Sequence, residues 1–173
     1  YETEDTAITA IQRTDEKPTE AVMADANSLI STNASAEPVY AWFENGVIKW
    51  WSEAKDVNAG ESLSYLCYKM RNLTDISGLN EWQTGNVTYM SCMFYGCSKL
   101  TDLTPLKNWQ TGKVTDMSYM FANCAKLTNT VGINSWDISK VTTFAGMFGN
   151  CPSHPEFTKR SGTWDSGTFK PTI

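Results

Sequence analysis

The sequence has few charges, a single histidine and no long hydrophobic run. Charged residues make up 19% of the 173 positions, below the roughly one quarter that is usual in soluble domains. The net charge is −5 and no run of Lys and Arg offers a footprint for phosphates, so we expect no nucleic-acid partner. No apolar stretch approaches the roughly 18 residues of a membrane span, so we expect no span in this chain. With 41% hydrophobic residues, the chain can still bury a core of domain size.

The strongest feature that is present is a repeat of 27 residues. Tryptophans recur at positions 82, 109, 136 and 164. The segment VTYMSCMFYGCSKLT (87–101) matches VTDMSYMFANCAKLT (114–128) at 10 of 15 positions. A third copy, VTTFAGMFGNCPSHP (141–155), is weaker, and YLCYKMRNL (65–73) is a degenerate earlier copy. Such self-similarity predicts stacked units, because one unit alone cannot bury its apolar face.

Each unit has the apolar spacing of a short helix. Met117, Met120, Phe121 and Cys124 stand at i, i+3, i+4 and i+7, which is one helix face, and Thr115 or Asp116 is placed to cap its start. Two sets of dipeptides predict short strands that pair in parallel from unit to unit. They are Leu73-Thr74, Leu100-Thr101 and Leu127-Thr128, and on the other side Val87-Thr88, Val114-Thr115 and Val141-Thr142.

The string VTDMSYMFANCAKLT, with the pattern Trp-Asp-x-Ser-Lys-Val-Thr at 136–142, resembles the bacterial surface-protein repeat of about 26 residues. It is similar to the BspA-like branch of the leucine-rich repeats, and the resemblance covers roughly residues 39–165. Together with the repeat, it implies a mixed α/β repeat solenoid, with one short helix and short parallel strands per rung of about 27 residues. The resemblance also implies a cell-surface location and a role in adhesion or host contact, with no catalytic residues to carry over.

An N-terminal β-hairpin is predicted to cap this solenoid. The segments VYAWF and VIKWW flank Asn45-Gly46, the preferred dipeptide of a two-residue turn, so Phe43 should face Ile48 and Ala41 should face Trp50. We expect four segments: an acidic and partly ordered N-terminus (1–38), the capping hairpin (39–55), the leucine-rich-repeat-like solenoid (56–158), and a C-terminal cap or exit linker (159–173).

The sequence gives only weak support for a disulfide, a catalytic set of residues or a metal site. Cys97, Cys124 and Cys151 form a column about 5 Å apart, which leaves a disulfide open on distance, but in-register side chains point the same way and a buried structural role is favoured. His154 beside Cys151 cannot complete a catalytic or metal set alone. The column of Asp75, Asp102 and Asn129 suits an exposed strand face better than an acid/base pair or a calcium site. We therefore expect no enzyme, no cofactor and no metal.

Candidate ligand contacts are sought where the units differ, because the invariant columns are explained by packing. Aromatic residues at such positions are the usual anchors for proteins and sugars. The competing interpretation is that the N-terminal 36 residues simply cover the aromatic face of the hairpin. The candidates are Tyr40, Trp42, Trp51, Tyr65, Tyr68, Tyr89, Tyr95 and Tyr119.

These features favour a non-catalytic cell-surface binding or adhesion module that contacts a protein or glycan of a host or a neighbouring cell. The alternative is a structural spacer or self-association repeat domain of a larger exported protein. No targeting segment opens the chain at Tyr1, which leaves a cytosolic protein or a piece of a longer exported polypeptide. The resemblance favours the second, and so an extracellular or cell-surface location.

Overall fold

The computed structural model of the chain describes residues 7–31, 37–158, 163–165 and 170–172. Near the N-terminus, three strands form one mixed sheet: β1 (Ala10–Arg13), β2 (Tyr40–Glu44) and β3 (Val47–Trp51). Their order in the sheet is β1-β3-β2. Asn45 and Gly46 join β2 to β3 with φ values of 50° and 82°, as the two-residue hairpin turn requires. The predicted register is confirmed: Phe43 pairs with Ile48 and Ala41 pairs with Trp50.

Strand β1 extends this sheet on the other side of β3, to which it is parallel, with Ile11 opposite Ile48. A five-residue helix, α1 (Glu20–Ala24), follows it, and the hydroxyl of Thr19 accepts the N–H of Val22 at its start. This is the one α-helix in the described residues. Residues 28–30 return along β2, where Leu29 forms an antiparallel bridge with Tyr40.

The prediction of a mixed α/β, leucine-rich-repeat-like solenoid is wrong. The structure is mostly strand and irregular backbone, and the helix predicted for each unit is absent from the described part of the chain. In place of the helices the 27-residue units contain consecutive turns and short 3-10 helices. The 3-10 helices are Ser77–Leu79, Thr104–Leu106 and Val131–Ile133. The only regular strands in the described units are β4 (Val57–Asn58) and β5 (Trp82–Gln83), which pair in parallel.

Backbone conformation explains why the helices do not form. Every fourth residue of the turn segments is left-handed, with φ values of 63° at Tyr65, 56° at Lys69, 55° at Cys92 and 74° at Gly96. A left-handed residue breaks a right-handed helix. Hydrogen bonds between units therefore replace i→i+4 bonds, as in Phe94 N–H to Met120 C=O at 2.8 Å. The apolar spacing i, i+3, i+4, i+7 is satisfied equally well by this chain of turns.

The predicted strands between units are single bridges. Parallel bridges connect Ser62 to Tyr89, Tyr89 to Asp116, and Asp116 to Thr143, one residue after the predicted Val-Thr pairs or their equivalent. On the side of the Leu-Thr pairs, Asp102 bridges Asn129, and Ala10 of β1 bridges Asp75. Strand β1 thus hydrogen-bonds to the first unit as well as to the hairpin.

One hydrophobic cluster runs from Ile8 to Phe157 and contains the Met/Phe pairs of the units. Phe94, Phe121 and Phe148 stack along it with ring centroids 5.4 and 5.2 Å apart, so this ladder of rings forms part of the core. Two further strands, β6 (Thr163–Asp165) and β7 (Lys170–Thr172), form an antiparallel pair. Most of the predicted C-terminal cap or linker lies outside the described residues, and the four predicted segment boundaries stay predictions.

Candidate binding surface

Five tyrosines on the turn segments are the aromatic side chains that the units present outward, and we call them the tyrosine surface. Three of them touch: Tyr65 meets Tyr68 edge to face at 5.3 Å, and Tyr68 stacks on Tyr95 at 5.2 Å. The ammonium group of Lys69 lies 5.4 Å from the centroid of the Tyr68 ring. The tyrosine surface comprises Tyr65, Tyr68, Tyr89, Tyr95 and Tyr119.

The turn geometry positions these side chains. Tyr65 and Tyr119 occupy equivalent left-handed positions in units one and three, with Cys92 between them. Tyr119 lies across Gly146 of the next unit, where a Cβ atom would come within 2.6 Å of its ring. The exposed fractions are 58% for Tyr65 and 47% for both Tyr89 and Tyr119, high values for side chains of this size. The structure therefore brings Tyr65, Tyr68 and Tyr95 together and leaves the other two accessible.

Cys92 lies within this surface beside Tyr65. The neighbouring Cys92 thiol raises the pKa of the Tyr65 hydroxyl above its usual value. Burial raises the pKa of the Cys92 thiol, and the nearby Asp116 carboxylate adds to the effect. Both groups are therefore neutral at physiological pH, and the surface presents hydroxyls and ring faces to a ligand.

The hairpin candidates have a different setting. Tyr40 and Trp51 stack at 6.5 Å on one face of the sheet, and the ammonium group of Lys17 lies 5.7 Å from the Trp51 ring. Tyr40, Trp42 and Trp51 are all half-buried. Besides Lys17, the N-terminal segment contributes Leu29, which forms a bridge with Tyr40 at the edge of β2. Trp42 lines an open groove of about 540 Å³ between the hairpin and α1, together with Phe43. The interpretation that the N-terminus covers the hairpin therefore describes part of the arrangement.

The cysteine column is a packing feature. Cys97 and Cys124 are fully buried, Cys151 is half-buried, and all five cysteines are free thiols. Each thiol of the column donates to a carbonyl 30 residues earlier, as Cys97 does to Cys67 at 3.2 Å. Burial raises the pKa of Cys97 to about 12. The predicted buried role is confirmed for Cys97 and Cys124.

The carboxylates considered for catalysis serve local structure. Asp75 and Asp102 each accept the N–H of the residue two positions on, at 2.9 Å, and so hold the 3-10 turn that follows. Burial raises the pKa of Asp75, but hydrogen bonds from Gln12 and Ser77 outweigh it, and the net shift is downward. Within the described ranges, no group of three His, Cys, Asp or Glu side chains could hold a metal ion.

Sequence reasoning missed two features of these surfaces. Phe43 pairs with Ile48 as predicted, but its side chain is 56% exposed at the tip of the hairpin. Lys69 was not singled out, although it borders the tyrosine surface. The available signal was that Lys69 follows Tyr68 directly and occupies the same position in its unit as Gly96 and Asn123 do in theirs.

Comparison with protein families places residues 61–171, more than half of the chain, in DUF285, described as a Mycoplasma protein of unknown function. The chain therefore belongs to this family. No curated protein and no solved structure matches it. Among the described residues, no helix combines the length and apolar character that crossing a bilayer demands.

Proposed function

We propose that this chain is a non-catalytic binding module, and that the tyrosine surface contacts a protein or glycan ligand. The observation that carries the proposal is the exposure of Tyr65, Tyr89 and Tyr119 beside the contact chain of Tyr65, Tyr68 and Tyr95. Tyrosine combines a large apolar ring with a hydroxyl that can donate or accept, and it loses little conformational entropy when bound.

The way in which these rings are held supports the proposal. The turn segments that carry these tyrosines are hydrogen-bonded to the next unit, as in Tyr65 N–H to Ser91 C=O at 3.0 Å and Cys92 N–H to Ser118 C=O at 2.9 Å. Ring contacts further restrict Tyr65 and Tyr68 before any ligand arrives. A pre-organised surface spends less binding energy on ordering its own side chains.

The same proposal includes a place of action on a cell surface, as part of a longer exported protein. Its support is the resemblance of residues 39–165, most specific between 82 and 151, to bacterial surface-protein repeats of the BspA-like type. A ligand on a host or a neighbouring cell follows from that resemblance, and its chemistry is left to the experiment.

The test is a screen of the purified chain against arrayed extracellular matrix proteins and glycans. The variant Tyr65→Ser/Tyr89→Ser/Tyr119→Ser removes the three exposed rings, and Val131→Ser is the matched control because Val131 is 70% exposed outside the tyrosine surface. We expect the triple variant to weaken any hit at least tenfold, since buried aromatic anchors each contribute about 1–2 kcal/mol or more. The control should bind as the wild type does.

A second variant, Trp42→Ala, separates the hairpin groove from the tyrosine surface. Binding that survives the triple tyrosine variant and is lost in Trp42→Ala would refute the proposed site and move it to the groove. A folded protein that binds nothing on either array would refute the binding function.

A further inference from the structure

The hairpin has an unpaired length of strand edge at Phe43. In an antiparallel strand, alternate residues turn their N–H and C=O groups to the same edge. On the edge of β2 that faces away from β3, Ile30 donates to Val39 at 2.9 Å and Ser28 accepts from Ala41 at 2.8 Å. Phe43 is next on this edge, and its N–H and C=O have no hydrogen-bond partner among the residues that the structure describes. Such an edge is a template for another extended chain.

A groove lies beside this edge because the N-terminal segment turns away from β2. The N–H of Ser28 donates to the C=O of Asp25 at 3.0 Å, and so does not continue the ladder along β2. The space that this turn leaves is the open groove of about 540 Å³ between the hairpin and α1. Its volume is in the range of roughly 300–1,000 Å³ that ligand pockets have. Val22 and Trp42 give it apolar walls.

The charges around the hairpin groove are acidic. Residues 18–48 contain four acidic side chains and no basic one. Asp25 lines the groove and is exposed. Its Oδ1 atom accepts the N–H of Asn27 at 2.9 Å, and among the described residues its Oδ2 atom has no partner. Lys49 of β3 is already paired with Glu44. The groove is therefore complementary to a cationic group.

We infer that the hairpin groove binds an extended peptide segment that carries an arginine or lysine side chain. One residue of the segment would exchange two hydrogen bonds with Phe43, one in each direction, as a hydrogen-bonded pair does in an antiparallel ladder. The side chain of the neighbouring residue would point to the face of Trp42, because successive side chains of a strand alternate between faces. Its aliphatic part would pack against Val22 and Trp42, and its charged end would reach Asp25.

The polar groups of the edge select a peptide over a glycan. A donor and an acceptor on one strand residue match the acceptor and donor of one peptide residue, and this match orients the ligand along β2. The site is short, because residues 28–30 cover the edge up to Ala41 and the turn begins at Asn45. Affinity therefore depends strongly on the one side chain that enters the groove. This site is separate from the tyrosine surface, and the inference does not rest on the proposed function.

The test is an NMR titration of the isotope-labelled chain with a capped pentapeptide of valine and threonine around one central arginine. We expect the Phe43 amide resonance to shift, with a dissociation constant on the order of 1 mM, because two backbone hydrogen bonds and one side chain hold the ligand. Glutamate in place of the arginine should weaken binding at least fivefold. N-methylation of one of the two residues that flank the arginine should abolish binding, because it removes the donor to the C=O of Phe43.

The matched variants are Asp25→Asn and Glu20→Gln. Each removes one negative charge, but Glu20 is exposed on α1 outside the groove lining. We expect Asp25→Asn to weaken the arginine peptide about threefold and Glu20→Gln to change its binding little. The triple tyrosine variant should bind this peptide as the wild type does, which separates a failure of this site from a failure of the tyrosine surface.

Four outcomes would overturn the inference. The first is an unshifted Phe43 amide at about 10 mM peptide, and the second is equal binding of the arginine and glutamate peptides. The third is a set of shifts centred on the tyrosine surface. The fourth is a shift of the Phe43 amide that follows protein concentration without any peptide, which would assign the edge to a second copy of the chain.

Discussion

Indole N–H groups are satisfied unequally along the tryptophan column. Trp109 donates to the C=O of Leu79 at 2.8 Å, and Trp136 donates to the C=O of Leu106 at 2.9 Å. The Nε1 atom of Trp82 is buried and has no hydrogen-bond partner among the described residues. A buried polar group without a partner destabilises the fold, whereas a paired one contributes modestly.

Trp109→Phe and Trp82→Phe should therefore differ in their cost. Both remove one ring of the indole, but only Trp109→Phe leaves a buried carbonyl, that of Leu79, without its donor. We expect Trp109→Phe to lower the free energy of unfolding by about 1–3 kcal/mol more than Trp82→Phe. Urea denaturation followed by circular dichroism measures both. Equal losses would contradict the hydrogen-bond assignment.

At the scale of the residue, predictions succeeded where the same residue type recurs at the same position of successive units. The 27-residue spacing of Cys97 and Cys124 beside phenylalanines predicted burial, and burial is what the structure shows. The left-handed conformation of Tyr65 and Cys92 was not predicted, because neither residue type favours positive φ. Hydrogen bonds from both residues to the next unit stabilise that conformation, and such long-range bonds leave no local sequence signal.

At the scale of elements, the 3-10 helix Ser77–Leu79 shows how closely β1 packs on the first unit. A Cβ atom on Gly78 would lie 2.5 Å from the C=O of Ile11 and 2.7 Å from Cα of Gln12, both backbone atoms of β1. Gln12 also donates to the Asp75 carboxylate at 2.7 Å, which fixes the same junction. Glycine at 78 is thus required by the approach of β1.

Gly78→Ala should separate β1 from this turn and lower the free energy of unfolding by about 1–3 kcal/mol, the usual cost of overpacking. Gly85→Ala is the matched control. Its new Cβ would meet only the side-chain oxygen of Gln110, at 2.9 Å, which can rotate away. Thermal or urea denaturation of the two variants gives the comparison. A Gly78→Ala protein as stable as Gly85→Ala would show that β1 can shift without loss.

Secondary-structure elements could be predicted where the local sequence is compatible with a single backbone conformation. Asn45-Gly46 between alternating apolar segments specifies a hairpin and its register, and both were confirmed. The spacing of Met117, Met120, Phe121 and Cys124 admits a helix or a chain of turns, and hydrogen bonds to the next unit decide between them. Strand β1 was not predicted, because only four residues pair and their partners are 37 residues away.

At the scale of the molecule, the N-terminal sheet and the units share one hydrophobic cluster. Ile11 is buried, pairs with Ile48 of the hairpin, and donates its N–H to Asp75 of the first unit at 2.8 Å. It therefore links two parts of the chain that are distant in sequence. A residue in such a position should affect the stability of both parts.

Ile11→Ala is expected to lower the free energy of unfolding by about 2–4 kcal/mol, because it opens a cavity in the shared core. If the core is cooperative, amide hydrogen exchange should accelerate equally in peptides from the hairpin (40–51) and from the third unit (114–128). Ile30→Ala is the control, since Ile30 is half exposed on the N-terminal segment and should cost little. Mass spectrometry resolves the peptides. Acceleration confined to the hairpin would mean that the units fold independently of the sheet, and that the cluster does not couple them.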